Sequence, residues 1–532
     1  MPKSFRLRRI VLALFILVPL AFGGLALFLG QDSNWDLRNY HWYDAYAALT
    51  GRLDQDMGAA QTPTYYNPTL DIPFYLAAKA LPARLFSFLL GVLQGCNFIL
   101  LYLIAARTLR LADERLHVLA CASIAAVGVV GAGNLALVGA IFYDNVISLF
   151  VLGAILVVIG NAARLEDGPW PPALRAVVLA GFLVGCAVGL KLPSQMYAVG
   201  VCFALLFVPG PFLRRFTLSF VCGLGVIAGF TLFGGWWLLE LASRFGNPLF
   251  PYFNDIVRSD WALPASYRDD RFFVKGLGDA LTLPFQLFVD GQRAGEITFR
   301  DARVLAAYVV LFVTPVMLFL GRLRTSAFPP VADHFALRYL AGVFVLSYLV
   351  WLILFVIYRY AVPLEMIAPL VVVAAMAVWP VSAHKHASLA IAILGFCVVT
   401  TKAGTWGRMP WSESGKFVDV AVPSVPSDAL ILMTGYAPTS FVIPAFPASV
   451  SFLRPQSYLV EPDHSTRFSD TLRARLKAHT GALYLLQPTW ERWASAKALP
   501  LLGLVGTADC RPVSTNLALE LELCAVERAA AP

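Results

Sequence analysis

Four ionisable residues stand where a charged side chain is costly or conspicuous. Asp36 lies near the start of WDLRNYHWYDAYAAL, Asp144 in IFYDNVISLF, Lys191 in GLKLPSQMY and Arg359 in YRYAVP. Each borders a long apolar stretch. A carboxylate beside aromatic rings is a candidate for catalysis. A cation held in a short turn is what a phosphate ligand needs, Lys as a point charge and Arg as a two-pronged donor. Plainer readings stand beside these. Asp36 is favoured at a helix N-terminus by the helix dipole, and Asp32, Asp44, Asp54, Asp56 and Asp71 read as solvated loop charges. Asp144 either marks a helix end or faces a cavity. Lys191 and Arg359 either snorkel at helix ends or serve a ligand.

The elements that position these residues are membrane spans. Of 532 residues, 58% are hydrophobic and 14% charged, and the mean hydropathy is +0.69. Soluble domains carry about 25% charged residues. The net charge of +8 does not signal nucleic acid, because the basic residues flank apolar segments and form no patch. Hydropathy with the positive-inside rule gives about eleven spans, near 10–30, 84–106, 116–133, 144–162, 174–190, 195–209, 217–240, 302–320, 338–357, 362–380 and 387–404. The first reads as a retained span and not as a cleaved signal peptide, whose apolar core would be shorter, about 7–15 residues. Lys3, Arg6, Arg8 and Arg9 place the N-terminus in the cytoplasm. The loops with Arg107, Arg110 and Arg115; Arg164 and Arg175; Arg214 and Arg215; Arg322, Arg324 and Arg338; and His384, Lys385 and His386 then alternate to the same side.

An odd span count leaves residues 405–532 outside the cytoplasm. Strand-like runs at 429–433, 482–486 and 518–525 around a helix at 468–479 predict a small α/β domain. The sequence thus predicts a transmembrane domain over 1–404 with long external loops at 31–82 and 241–301. In the first loop, Ser33 or Asn34 caps a helix from Asp36 to Thr50 that stops at Gly51. Asp36, Tyr40, Tyr43 and Ala47 fall on one face of it. Its aromatics place this helix, and another starting near Thr69, along the membrane interface. The loop around GNPLFPYFN reads first as structural packing. Six cysteines lie in apolar segments, and spacing alone leaves open whether Cys510 and Cys524 pair. No Cys/His cluster has metal-ligand spacing.

Taken in order, Asp36 with Tyr40 and Tyr43, the TYYNPTLDIPF stretch, Asp144, the GLK segment, the GNPLFPYFN loop and the RYxxP segment (Arg359, Tyr360, Pro363) give the chain its family resemblance. It resembles the polytopic GT-C glycosyltransferases that use polyprenyl-phosphate sugars, nearest the bacterial polyprenol-phosphate-mannose-dependent, aminoarabinose and protein mannosyltransferases. The chain departs from some relatives in span number and in having a single acid where they have a pair. The resemblance implies an all-α GT-C-like membrane bundle in a bacterial inner membrane, with a periplasmic C-terminal domain. It implies transfer of a sugar, with inversion, from a polyprenyl-phosphate donor to a lipid- or protein-linked acceptor on the outer face. Asp36 would be the general base. Asp144 would position the acceptor, aid the base or hold a divalent metal, no cofactor being otherwise implied. Lys191 and Arg359 would contact the donor phosphate, and Tyr360, Tyr40, His41, Tyr65, Tyr66 and Asn67 would line the substrate site. The alternative is a transporter or flippase for lipid-linked saccharides, which would favour internal repeats and polar residues at mid-span. A membrane scaffold without activity is a third reading.

Overall fold

A computed structural model describes residues 4–322 and 331–529. Helices stand at all eleven positions read from hydropathy. Eight are long and apolar enough to cross a membrane: Phe5–Leu29, Ala83–Thr108, Trp170–Leu190, Phe212–Phe245, Arg303–Gly321, His334–Leu354, Tyr358–Met376 and Ala383–Thr400. The helices at the other three positions are shorter: Glu114–Val129, Asp144–Gly160 and Gln195–Ala204. The protein is a multi-pass membrane protein with a C-terminal sheet.

The chain divides into two compact units. One comprises Met1–Leu29, Ser87–Phe233 and Asp269–Trp406; the other comprises Gly30–Phe86, Gly234–Arg268 and Gly407–Pro532. A single cut near residue 405 therefore does not separate them, and the second long loop is shared between them.

In the first unit, helices approach through small residues, as apolar surroundings require when hydrophobic burial cannot drive association. Gly181 and Gly185 face Gly225 and Gly229, two spaced pairs on neighbouring helices. A Cβ on Gly181 would stand 2.0 Å from the Cys222 carbonyl oxygen. Every residue of Val362–Met376 is buried, so this helix is central. The loops carrying cations meet in pairs. The Arg110 amide donates to the Val331 carbonyl at 2.7 Å, Arg110 pairs with Asp333, and Arg214 Nε donates to the Leu165 carbonyl at 2.7 Å. Lys3, Arg324 and the side chain of Arg322 lie outside the described residues.

The second unit is built on a six-stranded mixed sheet. Its spatial order is Val420–Ala421, Leu504–Thr515, Leu521–Arg528, Leu483–Pro488, Leu430–Met433, Ser451–Leu453. The last three are parallel, and the remaining pairings are antiparallel. Helices Arg467–Ala478 and Arg492–Leu501 fill the connections. Cys510 and Cys524 lie opposite one another on adjacent strands and are disulfide-bonded.

The first loop, expected along the membrane interface, is packed against protein in this unit. It is part of the core of this unit. Met57 makes a parallel bridge to Leu453 at the sheet edge, and Gln31–Asp32 pairs with Arg408–Met409. Tyr65, Trp237, Phe245 and Phe250 join Leu430, Leu453, Leu472 and Leu485 in one apolar cluster. Of the aromatic residues that read as interfacial, Tyr40, Trp42 and Tyr43 are buried in the protein, and the GNPLFPYFN loop packs in the apolar cluster as expected. Phe245 stacks on Phe250 at 4.1 Å.

Candidate active site

Asn34 caps the helix that carries Asp36. Its Oδ1 accepts the Leu37 amide at 2.8 Å, and its Nδ2 donates to Asp32. The backbone then makes a π-turn over Leu37–His41 before the α-helix Trp42–Thr50, which ends at Gly51 with φ 72°. Such turns interrupt simple helical spacing and are frequent at functional sites. Asp36, 9% exposed, accepts the Tyr40 hydroxyl at 2.9 Å. Tyr43, expected on the same face, instead donates its hydroxyl to Asp56 at 2.9 Å, beyond the π-turn that resets the phase.

The neighbouring acids are not solvated loop charges, Asp54 excepted. Asp32, Asp44, Asp56 and Asp71 are all buried. Asp71, in the first turn of helix Asp71–Ala80, holds His41 Nδ1 at 2.6 Å. Neither carboxylate oxygen of Asp44 has a hydrogen-bond partner. Burial, with the nearby charge of Asp71, pushes its carboxyl well above the ordinary carboxylate range. Asp56 takes Arg52 Nε at 2.7 Å and Nη2 at 2.8 Å. The i, i+4 spacing of RLDQD was the one sequence signal for this pair.

Of the other residues expected here, Tyr66 stands edge-on to Tyr40 at 5.2 Å and bonds the Tyr252 hydroxyl. Asn67 Oδ1 accepts the Thr69 amide at 3.0 Å and its hydroxyl at 2.7 Å, so it forms the turn before Asp71. Tyr65 packs between Phe245 and Phe250 at 4.9 and 5.1 Å. Burial raises its hydroxyl above the usual phenol value, and it is a core residue of the second unit.

Within the first unit, the structure brings Asp144, Lys191, Arg359 and Tyr360 together. Asp144 opens helix Asp144–Gly160 directly after Tyr143, whose φ of 65° is a left-handed conformation rare for an aromatic residue. Lys191 ends helix Trp170–Leu190, where Pro193 forbids its continuation. Lys191 Nζ donates to Asp144 Oδ1 and to the Phe142 carbonyl, both at 2.7 Å. Arg359 Nη1 lies 3.9 Å from Asp144 Oδ2. Its guanidinium covers the Phe142 ring at 4.4 Å, and the ammonium of Lys191 lies 5.4 Å from the Tyr360 ring centroid. Asp144 and Arg359 are buried. Neither cation snorkels: both turn inward to one carboxylate, and the charge of Arg359 also acts on Asp269. A small cleft between Asp144, Lys191, Ser194, Tyr197, Tyr360 and Pro363 opens beside them.

A network that sequence reasoning missed holds this cluster in place. Glu365, buried in the central helix, accepts the amides of Gly133 and Asn134 at 2.9 and 3.0 Å and the Tyr358 hydroxyl at 2.8 Å. Gly131 must lack a side chain, since a Cβ there would stand 2.0 Å from the Glu365 carboxylate. Asp301 accepts the Ala132 amide at 2.8 Å, and Arg303 Nε donates to the Val127 carbonyl at 2.7 Å. Gln94 and Asn97 fix the backbone at Gly139 and Asn145. The loop delivering Phe142, Tyr143 and Asp144 is thus hydrogen-bonded along its length. Isolated acids and amides inside apolar segments were the available signal.

Asp144 suits an anion site better than a metal site, because two cations already face its oxygens. Among the described residues, one His/Cys/Asp/Glu group is close enough to share an ion: Cys510, Glu522 and Cys524. Its cysteines are bonded to each other and Glu522 is held by Arg492 and Gln487.

The fold and this site define a multi-pass membrane protein with a buried cluster of two cations and a carboxylate in its helical unit and an acid-rich, protein-covered loop in its second unit. No protein-family model, curated protein or solved structure matches the chain.

Proposed function

We propose that the protein is a membrane glycosyltransferase of the GT-C type, moving a sugar from a polyprenyl-phosphate donor to a lipid- or protein-linked acceptor on the outer face of a bacterial inner membrane. The observation that carries this reading is the Lys191–Asp144–Arg359 cluster, two inward-turned cations on one carboxylate beside the Phe142 and Tyr360 rings. Such a cluster fits a lipid phosphate whose negative charge grows as it leaves. Asp144 orients the two cations and balances part of their buried charge.

Asp36 is the general base. It takes the proton of the acceptor hydroxyl as that oxygen attacks the anomeric carbon, and the bond from that carbon to the phosphate oxygen breaks. One displacement inverts the anomeric centre. The Tyr40 hydroxyl donates to Asp36 at 2.9 Å and orients its carboxylate. His41, oriented by Asp71, and Tyr66 flank the acceptor side. The test is transfer by the purified protein in vesicles supplied with synthetic polyprenyl-phosphate mannose, glucose, galactose or aminoarabinose, with the product anomer read by NMR. An inverted product from one donor is expected. No transfer from any of them, or retention at the anomeric carbon, would overturn the proposal.

A further inference from the structure

The sheet of the second unit offers a separate set of groups. Its three parallel strands, Ser451–Leu453, Leu430–Met433 and Leu483–Pro488, are neighbours in that spatial order. The chain leaves Leu430–Met433 to build one neighbour and later returns to build the other. Their carboxyl ends point the same way, and the order reverses between them. In open α/β sheets this is where ligands bind, outside the carboxyl ends of strands at the switch point.

The residues that follow these three strands are unusual in two ways. First, they include buried polar atoms with no hydrogen-bond partner: Thr434 Oγ1, Arg454 Nε and Gln456 Oε1. Arg454 and Gln456 are fully buried, and burial lowers the Arg454 guanidinium to about 9. An unsatisfied buried polar group costs about 1–3 kcal/mol, so three together at one crest call for a reason.

Second, the same crest exposes aromatic rings. Tyr436 follows Leu430–Met433, Tyr458 follows Ser451–Leu453, and Trp493 stands beyond Leu483–Pro488. The Tyr436 ring is 4.8 Å from Tyr458 and 6.2 Å from Trp493, nearly parallel to the latter. Tyr458 and Trp493 are 62% and 54% exposed, although the unit has an apolar core that could hold them. Tyr436 is held rigidly, its amide donating to Glu491 at 2.8 Å and its hydroxyl to Glu461. Glu461 also takes Gln456 Nε2 at 3.3 Å and Lys497 Nζ at 3.7 Å.

Fixed, exposed rings beside a carboxylate, an amide and an ammonium match the two-sided chemistry of a pyranose. The sugar's C–H face lies on the rings, and its hydroxyls exchange hydrogen bonds with the polar groups. An anionic bilayer fits less well: Lys497 is committed to Glu461 and the nearby Arg492 to Glu522, so the patch has no spare positive charge. We propose that the C-terminal part of the second unit carries a saccharide-binding site, in which Tyr436, Tyr458 and Trp493 form the stacking platform and Glu461, held from behind by the buried Gln456, binds the hydroxyls. It uses none of the transfer residues and does not rest on the transferase reading.

The experiment uses the full chain in phosphatidylcholine nanodiscs. Tryptophan fluorescence is titrated with soluble oligosaccharides ending in mannose, glucose, galactose or N-acetylglucosamine, up to about 10 mM, which covers sites as weak as ~1 mM. At least one oligosaccharide should bind. Trp493→Ala and Glu461→Gln should each weaken it by about tenfold or more, with thermal unfolding unchanged because both side chains are replaced without opening the core. The proposal is overturned if no oligosaccharide binds, or if both variants bind as tightly as the parent. It is equally overturned if the platform variants lose adhesion to phosphatidylglycerol vesicles while the parent ignores sugars.

Discussion

Asp56→Asn probes how the second unit is assembled. Asp56 and Arg52 are 3% and 2% exposed, and they tie the first loop to the sheet edge. Asp56 Oδ1 accepts the Phe452 amide at 2.9 Å, while Arg52 donates to the Val450 carbonyl at 2.6 Å and the Ala448 carbonyl at 3.0 Å. Asparagine keeps the shape but leaves the Arg52 charge buried without its counter-ion, which costs about 3–5 kcal/mol. For a unit of this size each kcal/mol lowers Tm by about 2–4 °C, so the midpoint should fall by about 6–20 °C. Burial raises the Asp56 carboxyl despite the opposing pull of Arg52, so the intact pair has a modest net worth. Replacing both partners by apolar groups, Arg52→Met with Asp56→Leu, removes the buried charges but leaves the Tyr43 hydroxyl and Phe452 amide without their acceptor, so it should recover part of the loss. The assay is intrinsic-fluorescence unfolding in detergent at one fixed scan rate, since membrane proteins often unfold irreversibly. A drop below about 2 °C for Asp56→Asn, or a double variant worse than either single one, would refute the reasoning.

Asp44 gives a pH-dependent prediction with a definite sign. Its folded carboxyl ionises above the ordinary value because of burial and then Asp71. As pH rises past about 4 the unfolded chain loses this proton first, so stability falls until the folded value is passed. Asp44→Asn should gain stability over the parent as pH rises from acid to neutral; a pH-independent difference in Tm would contradict it. At the cationic cluster, Arg359→Lys should cost about 10²–10³-fold in kcat/KM for the donor, as loss of one oriented donor does elsewhere. Unchanged donor kinetics in that variant would remove Arg359 from the phosphate site.

Much of the helical layout was legible because spans need long apolar runs and their flanking cations alternate. The same logic put Asp144, Lys191 and Arg359 on one side, and they do touch. The first loop was harder to read. Tyr40, Trp42 and Tyr43 carry the same composition whether they face a lipid surface or a protein core, and hydropathy cannot separate the two. What decides between them is long-range pairing, such as Met57 with Leu453, almost four hundred residues along the chain. The π-turn at Leu37–His41 has no residue signature comparable to Gly51, which marked the helix end correctly. Asp44, Asp56 and Asp71 looked solvated because a carboxylate announces its charge but not its partner. Glu365 was overlooked for a related reason: in an apolar run, one acid identifies a polar contact without saying that two glycine-bracketed amides supply it.

The central claim is that Asp36 takes the acceptor proton in sugar transfer from a polyprenyl phosphate. The most direct measurement is the single-turnover rate of Asp36→Asn against the parent protein, in vesicles with saturating donor and acceptor and with insertion checked by protease protection. Asparagine keeps the Tyr40 contact and removes the base, so the rate should fall by about 10²–10⁴-fold while donor binding stays intact. A variant that transfers sugar at the parent rate would contradict the account.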